Sequence, residues 1–274
     1  NLPRVAKDIS DRNRTSPVAF TGNKFEFRAC GSSQNIAEPV TVLNLIVAYG
    51  YDEIYKRLQR KNGDMKAQAI LALKEILKET KRVRFEGNNY AEDWHKEAES
   101  RGLSNARDTS AALELFLEKD AVQLFAGYGV LSERELRSKI DIKLEAYAKI
   151  KEIEFRTGIN MVNTMILPAL TRHIAQVAGA AAGIKAAGIS QNSLQQEVSS
   201  LENLFAEIKQ RVRDLENVLT ECENTADPHK KAHLFADKGA RVLNDLRGIV
   251  DTAEESTADD LWPLAKYQKI LSVL

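Results

Sequence analysis

The chain has 274 residues, 43% hydrophobic and 28% charged, with 39 basic side chains balanced by 39 acidic ones. That is enough apolar material for one large domain or two smaller ones, which excludes a disordered chain. Zero net charge excludes a global attraction to nucleic acid or anionic lipid, so anion binding would have to come from a local cluster. Cys30 and Cys222 are too few for a disulfide framework or a cysteine zinc site, and this usage points to a cytoplasmic protein. The longest stretch without charge, residues 157–171, is shorter than the ~18 apolar residues of a membrane span, so none is expected. The chain opens on Asn1 without a secretory pattern, and the expectation is a piece of something larger.

The first ~40 residues read as strand and loop, with Pro3, Pro17, Pro39 and the run GlySerSerGlnAsn. Phe25, Phe27 and Ala29 alternate with Lys24, Glu26 and Arg28, the period of a strand. ValAlaPhe at 18–20 and the turn at Gly22 and Asn23 suggest a hairpin partner. From Pro39 to Pro168 there is no proline, and the chain reads as helical. A helix over about 40–60 would place Leu43, Ile46, Tyr49 or Gly50, and Ile54 inward. A second starts at Asp64 with Ile70, Leu73, Ile76 and Leu77 inward and ends in the basic run at 81–84. A third carries TrpHisLysGluAla and stops at Gly102, and a fourth covers 108 to about 125.

Ser132 and Glu135 form a capping box for a long helix through Leu136, Ile140, Leu144 and Tyr147 toward Pro168, where a kink is expected. Gly179, Gly183 and Gly188 then end or bend it, and the alanine and glycine run at 175–188 reads equally as a close-packing surface or a hinge. Val198, Leu201, Phe205, Ile208, Val212, Leu215 and Leu219 follow at alternating spacings of four and three, a heptad seam. Its expected antiparallel partner is opened by Asp227 and Pro228, with Leu234, Val242, Leu246 and Ile249 inward, making 189–250 a helical hairpin.

In residues 1–30 the cations Arg4, Lys7, Arg12, Arg14, Lys24 and Arg28 outnumber Asp8, Asp11 and Glu26. Lys24, Glu26 and Arg28 form a row at ~6.6 Å intervals on a strand. Such a row is either a solvated outer face or the wall of a polyanion site, in which the carboxylate holds a divalent cation and the cations neutralise phosphate. His229 and His233, four apart on a helix, read as a surface pair rather than a metal site. Cys222 between Glu221 and Glu223 reads as a buried or idle thiol. The basic run at 81–84 reads as a solvated helix end rather than an anion site.

The wording ArgAsnArgThrSerProValAlaPheThrGlyAsnLysPheGluPheArgAlaCysGlySerSerGln at 12–34 resembles the end of the catalytic domain of type III glutamine synthetases. LeuSerGluArgGluLeuArgSerLys at 131–139 and AspAspLeuTrpProLeuAlaLysTyr at 259–267 resemble the helical C-terminal domain of that type. The resemblance implies an α+β fold, predominantly α: a short hairpin or strand remnant of the catalytic sheet in 1–45, then a helical domain in 46–274. It implies ATP and Mg²⁺ or Mn²⁺ as cofactors, L-glutamate and ammonium as substrates, γ-glutamyl phosphate as intermediate, and a cytoplasmic ring-shaped homo-oligomer, a dodecamer. By position, Glu26 would be a metal ligand, Arg14 and Arg28 catalytic cations, and Lys24 and Arg12 cofactor-binding. Ala19 stands where other glutamine synthetases have a second arginine, and Lys24 where arginine is usual. The remaining metal ligands and the glutamate pocket of the family would lie upstream, so these 274 residues alone are expected to be inactive. Two other readings stand beside this one, a non-catalytic helical interaction module and a related ATP-dependent carboxylate–amine ligase.

Overall fold

The computed structural model describes residues 18–20, 25–27, 34–59, 64–85, 91–189 and 192–272. Strands β1 (Val18–Phe20) and β2 (Phe25–Phe27) pair antiparallel. The helices are α1 (Ala37–Gln59), α2 (Met65–Glu79), α3 (Glu92–Ser100), α4 (Thr109–Glu114), α5 (Lys119–Gly127), α6 (Glu133–Met161), α7 (Leu167–Ala186), α8 (Ser193–Glu223), α9 (Pro228–Leu234), α10 (Ala240–Ser256) and α11 (Tyr267–Leu271). The expected α+β class, with a strand remnant of a catalytic sheet, is therefore corrected to a helical domain. Two three-residue strands are too short to form a layer on which helices could pack. Among the described residues they have no further strand beside them.

The chain divides into two units, Asn1–Arg107 with Lys119–Glu133, and Asp108–Glu118 with Arg134–Leu274. In the first, α1 packs on α2 and on α5. Asp64 caps α2 by accepting from the Lys66 N–H at 3.3 Å. A tight turn at Thr80–Val83 closes that helix, and the Arg84 guanidinium donates to the Leu77 carbonyl at 2.6 Å. The basic run thus serves its own helix end, where cations oppose the negative pole of the helix. α3 stops as expected at Gly102, whose φ of 70° suits glycine, with the Leu103 N–H bonded to the Ala98 carbonyl.

The inward faces expected for α1 and α2 are covered only in part, Leu43, Gly50, Ile70 and Ile76 being half-buried. Leu45 and Ala72 are buried, whereas Ile46, Tyr49, Ile54, Leu73 and Leu77 are exposed. α1 is apolar on more than one side, and helical spacing cannot say which side a neighbour covers.

The single helix expected over 108–125 is also corrected. α4 tightens into a turn at Leu115–Leu117, Glu118 is extended with ψ of 146°, and α5 starts afresh. No proline or glycine forces this break; it falls where the chain leaves the second unit, so tertiary packing overrides local propensity.

In the second unit α6 and α7 are continuous through a widened turn at Val162–Ile166, where the Leu167 N–H reaches back to the Val162 carbonyl. Pro168 accounts for its position, because its ring crowds the carbonyl four residues earlier and the helix loosens just ahead of it. α7 continues through Gly179 and Gly183 and ends before Gly188, and a Cβ added at 179 or 183 would meet nothing within 4 Å, so no close neighbour among the described residues requires glycine at either position. α8 packs along both α7 and α10. Its seam is buried at Leu201, Ile208, Val212, Leu215 and Leu219, and continues at Val218 and Cys222.

Asp227 caps α9 by accepting from the N–H groups of His229 (2.9 Å) and Lys230 (3.2 Å). A second widened turn, Phe235–Gly239, joins α9 to α10 and sets Phe235 edge-on to Phe155, ring centroids 5.3 Å apart. Gly239 lies against the same ring: a Cβ there would stand 2.4 Å from Phe155 Cε2. Gly239→Ala is therefore expected to destabilise this unit by about 1–3 kcal/mol through overpacking. Gly183→Ala, in open space, is expected to stabilise it by up to ~1 kcal/mol. Denaturation midpoints read in a Trp94→Phe background from Trp262, buried in this core, check the pair; equal midpoints would contradict the packing.

Candidate functional site

Of the residues expected to carry chemistry, Arg12, Arg14, Lys24 and Arg28 lie outside the described residues. Glu26 lies at the centre of β2, where the backbone register pairs it with Ala19 of β1. The position at which the resemblance expects a second arginine is thus the cross-strand partner of the expected metal ligand.

The described residues bring together a different constellation, on α4, α6 and α9. Asp108 caps α4, its Oδ1 accepting from the Ala111 N–H at 2.9 Å and from the hydroxyl of fully buried Ser110 at 2.5 Å. Ser110 Oγ lies 3.2 Å from His233 Nδ1, and His233 Nε2 lies 2.9 Å from Glu114 Oε1. The same Glu114 oxygen lies 3.3 Å from His229 Nδ1, whose Nε2 lies 2.9 Å from Asp141 Oδ1 on α6. Burial opposes ionisation of Glu114, but hydrogen bonds from His233 and His229 outweigh it and hold the carboxyl below its usual range. Asp108 is likewise lowered: burial opposes its charge, and the bonds from Ser110 and Ala111 prevail.

The histidine pair expected at the surface is instead partly covered and engaged on both rings, His229 and His233 being 31% and 34% exposed. Their spacing was visible in the sequence, but partners 88 and 123 residues away were not. Among the described residues no group of three His, Cys, Asp or Glu side chains is placed to hold a metal ion. The network can hold and pass protons; its hydroxyl, on Ser110, is sealed from any substrate.

Among the described residues, two of the clefts offer space for a small molecule. In the first unit a cleft of about 740 Å³ is lined by Tyr49, Asp52 and Lys56 of α1 and by Asp120, Gln123 and Tyr128. Tyr128 donates to Asp52 Oδ2 at 2.6 Å, and that bond together with burial pushes the phenol up to about 12. In the second, a mostly apolar cleft of about 450 Å³ is lined by Met161, Val162, Ile166, Leu246, Trp262 and Ile270. Cys222 is buried, and burial pushes its thiol up to about 11, which makes it inert at neutral pH, as expected. No described helix is long and apolar enough to cross a membrane.

Residues 69–185 match the family described as "Glutamine synthetase C-terminal domain". Over 98% of its length the chain is 35% identical to the "Type-3 glutamine synthetase" of Dictyostelium discoideum and 31% identical to the "Glutamine synthetase" of Bacteroides fragilis (strain YCH46). It spans 38% of each of those relatives. A "Glutamine synthetase" of Butyrivibrio fibrisolvens is 35% identical over 57% of this chain and 22% of its own length. A similarity that runs nearly end to end through both units, from the strand segment to the last helices, leaves one assignment: the chain belongs to the glutamine synthetase family and carries its C-terminal domain.

Proposed function

We propose that this chain is the C-terminal portion of an enzyme that makes L-glutamine from L-glutamate, ammonia and ATP through γ-glutamyl phosphate, in the nitrogen metabolism of the cytoplasm. The observation that carries the reading is the near-complete alignment of this chain with relatives named glutamine synthetase. In this reading residues 1–45 belong to the catalytic domain and 46–274 form the helical domain, which buttresses it and contributes surface to a ring-shaped homo-oligomer, a dodecamer. Glu26 would supply one carboxylate to Mg²⁺ or Mn²⁺. Arg14 and Arg28 would neutralise the transferring phosphoryl group, with Lys24 and Arg12 toward the nucleotide. The composition of the set, one carboxylate among four cations, suits a site shared between a metal ion and phosphates. A single carboxylate cannot complete near-octahedral oxygen coordination, so the 274 residues alone are expected to make no glutamine.

The test is γ-glutamyl transfer and glutamine formation by the full-length polypeptide with and without Glu26→Gln. The expected result is a fall in kcat of roughly 100-fold or more with an altered magnesium dependence. Unchanged kinetics would remove Glu26 from the site and favour the reading as an interaction module.

A further inference from the structure

The network on α9 has a feature that the proposed synthetase reading does not use. Each ring nitrogen of His229 faces a carboxylate oxygen, Nδ1 toward Glu114 at 3.3 Å and Nε2 toward Asp141 at 2.9 Å. An ionised carboxylate only accepts hydrogen bonds, whereas a neutral imidazole has one N–H and one lone pair. The neutral ring would turn a lone pair on one of the two carboxylates, and only the imidazolium donates to both.

The two carboxylates belong to different helices, Glu114 to α4 and Asp141 to α6. Beside them lies a small apolar cluster whose members adjoin the polar ones in sequence: Leu113 precedes Glu114, Ile140 precedes Asp141 and Ala232 precedes His233. The double ionic hydrogen bond of the imidazolium adds charge-assisted ties to the apolar contacts that Ala232 and Leu234 give α9.

We infer that His229 is a proton-operated clasp: as the imidazolium it ties α9 to α4 and α6 at once, and loss of one proton to solvent opens one of the two ties. The groups that act on it are Glu114 from α4 and Asp141 from α6. On α9 itself, Asp227 holds the backbone N–H groups of His229 and Lys230, and His233 shares the Glu114 oxygen. Burial works against the charged ring, but the bonds to Asp141 and Glu114 outweigh it, and His229 binds its proton more tightly than the usual 6.5. A group raised in the folded state contributes its stabilisation in full below the unfolded value, near pH 6.5, and loses it as the pH climbs through the higher folded value. The second unit is therefore tighter around α9 on the acidic side of neutrality and looser on the alkaline side.

The test is an NMR titration of the imidazole nitrogens in the full chain, alongside thermal unfolding followed through Trp262 in a Trp94→Phe background from about pH 6 to about pH 9, for the otherwise unchanged chain as wild type, Glu114→Gln, Asp141→Asn and His229→Asn. The clasp requires His229 to titrate above 6.5 and to move down in each carboxamide variant. Over the alkaline limb, wild type should lose roughly 2–4 °C of midpoint that His229→Asn does not lose. Titration at or below 6.5 in wild type overturns the proposal even if His229→Asn fails to fold, and so do parallel unfolding curves for wild type and that variant.

Discussion

Replacing Phe155 by alanine lowers the stability of the second unit by about 3–5 kcal/mol, the range for removing a buried aromatic ring. Phe155 has no exposed surface; its ring meets Phe235 edge-on and lies against the backbone of Gly239. Losing it forfeits burial, an aromatic pair worth about 0.5–1.5 kcal/mol, and the filling of a space walled by a widened helical turn. That turn cannot collapse inward without giving up its own backbone bonds, so a cavity remains. For a unit of this size the melting temperature falls on the order of 10 °C. The chain has two tryptophans, so a Trp94→Phe background leaves Trp262 as the reporter of this unit. Ile153→Ala, two residues earlier on α6 and at a side chain 59% exposed, should shift stability by no more than about 0.5 kcal/mol. In the Phe155→Ala background Gly239→Ala should lose its penalty, because the atom it strikes is gone. A Phe155→Ala cost below about 1 kcal/mol would contradict the packing.

Phe155 was not among the inward residues expected from the sequence, and the reason is physical. Phe155 continues the stripe of Leu144 and Ala148 within the regular part of α6, but Ile150 and Ile153 beside it are equally apolar and exposed, so apolar spacing alone does not choose the inward side there. Phe235, buried beside the expected Leu234, opens the widened turn Phe235–Gly239, where one extra residue shifts the apolar stripe around the axis. Between Ser193 and Glu223 no such turn intervenes, and there Leu201, Ile208, Val212, Leu215 and Leu219 of the expected heptad are buried, with Val198 and Phe205 half-buried. α1 shows another limit: apolar spacing marked Ile46, Tyr49 and Ile54, which are exposed, while Leu45 is covered. Asp64, Gly102 and Asp227 were legible as helix ends because capping is a local transaction between a side chain or a positive φ and the nearest backbone groups. The residues expected to bind metal and phosphate came from the resemblance alone; Arg12, Arg14, Lys24 and Arg28 lie outside the described residues, and Glu26 lies on β2. The six-residue polar network was not legible, since it joins segments that only tertiary packing brings together.

Leu215→Asn is expected to cost about 4 kcal/mol or more in the same unit, the other large effect. Leu215 is fully buried at the middle of the seam, on a helix packed against both α7 and α10. The substitution removes the transfer energy of a buried leucine, about 1.5–3 kcal/mol. It also places an amide among apolar side chains, with a further penalty of about 1–3 kcal/mol if its donors and acceptor find no partner. The neighbouring Glu216 faces solvent, so Glu216→Asn should change stability by no more than about 0.5 kcal/mol. The contrast between adjacent positions separates an internal seam from one reserved for another subunit. Were the seam an oligomer contact, Leu215→Asn would leave unfolding of the chain nearly untouched and shift its oligomeric state instead. Denaturant curves together with sedimentation of both variants distinguish the two, and the burial of this helix on two sides within its own chain predicts the first outcome.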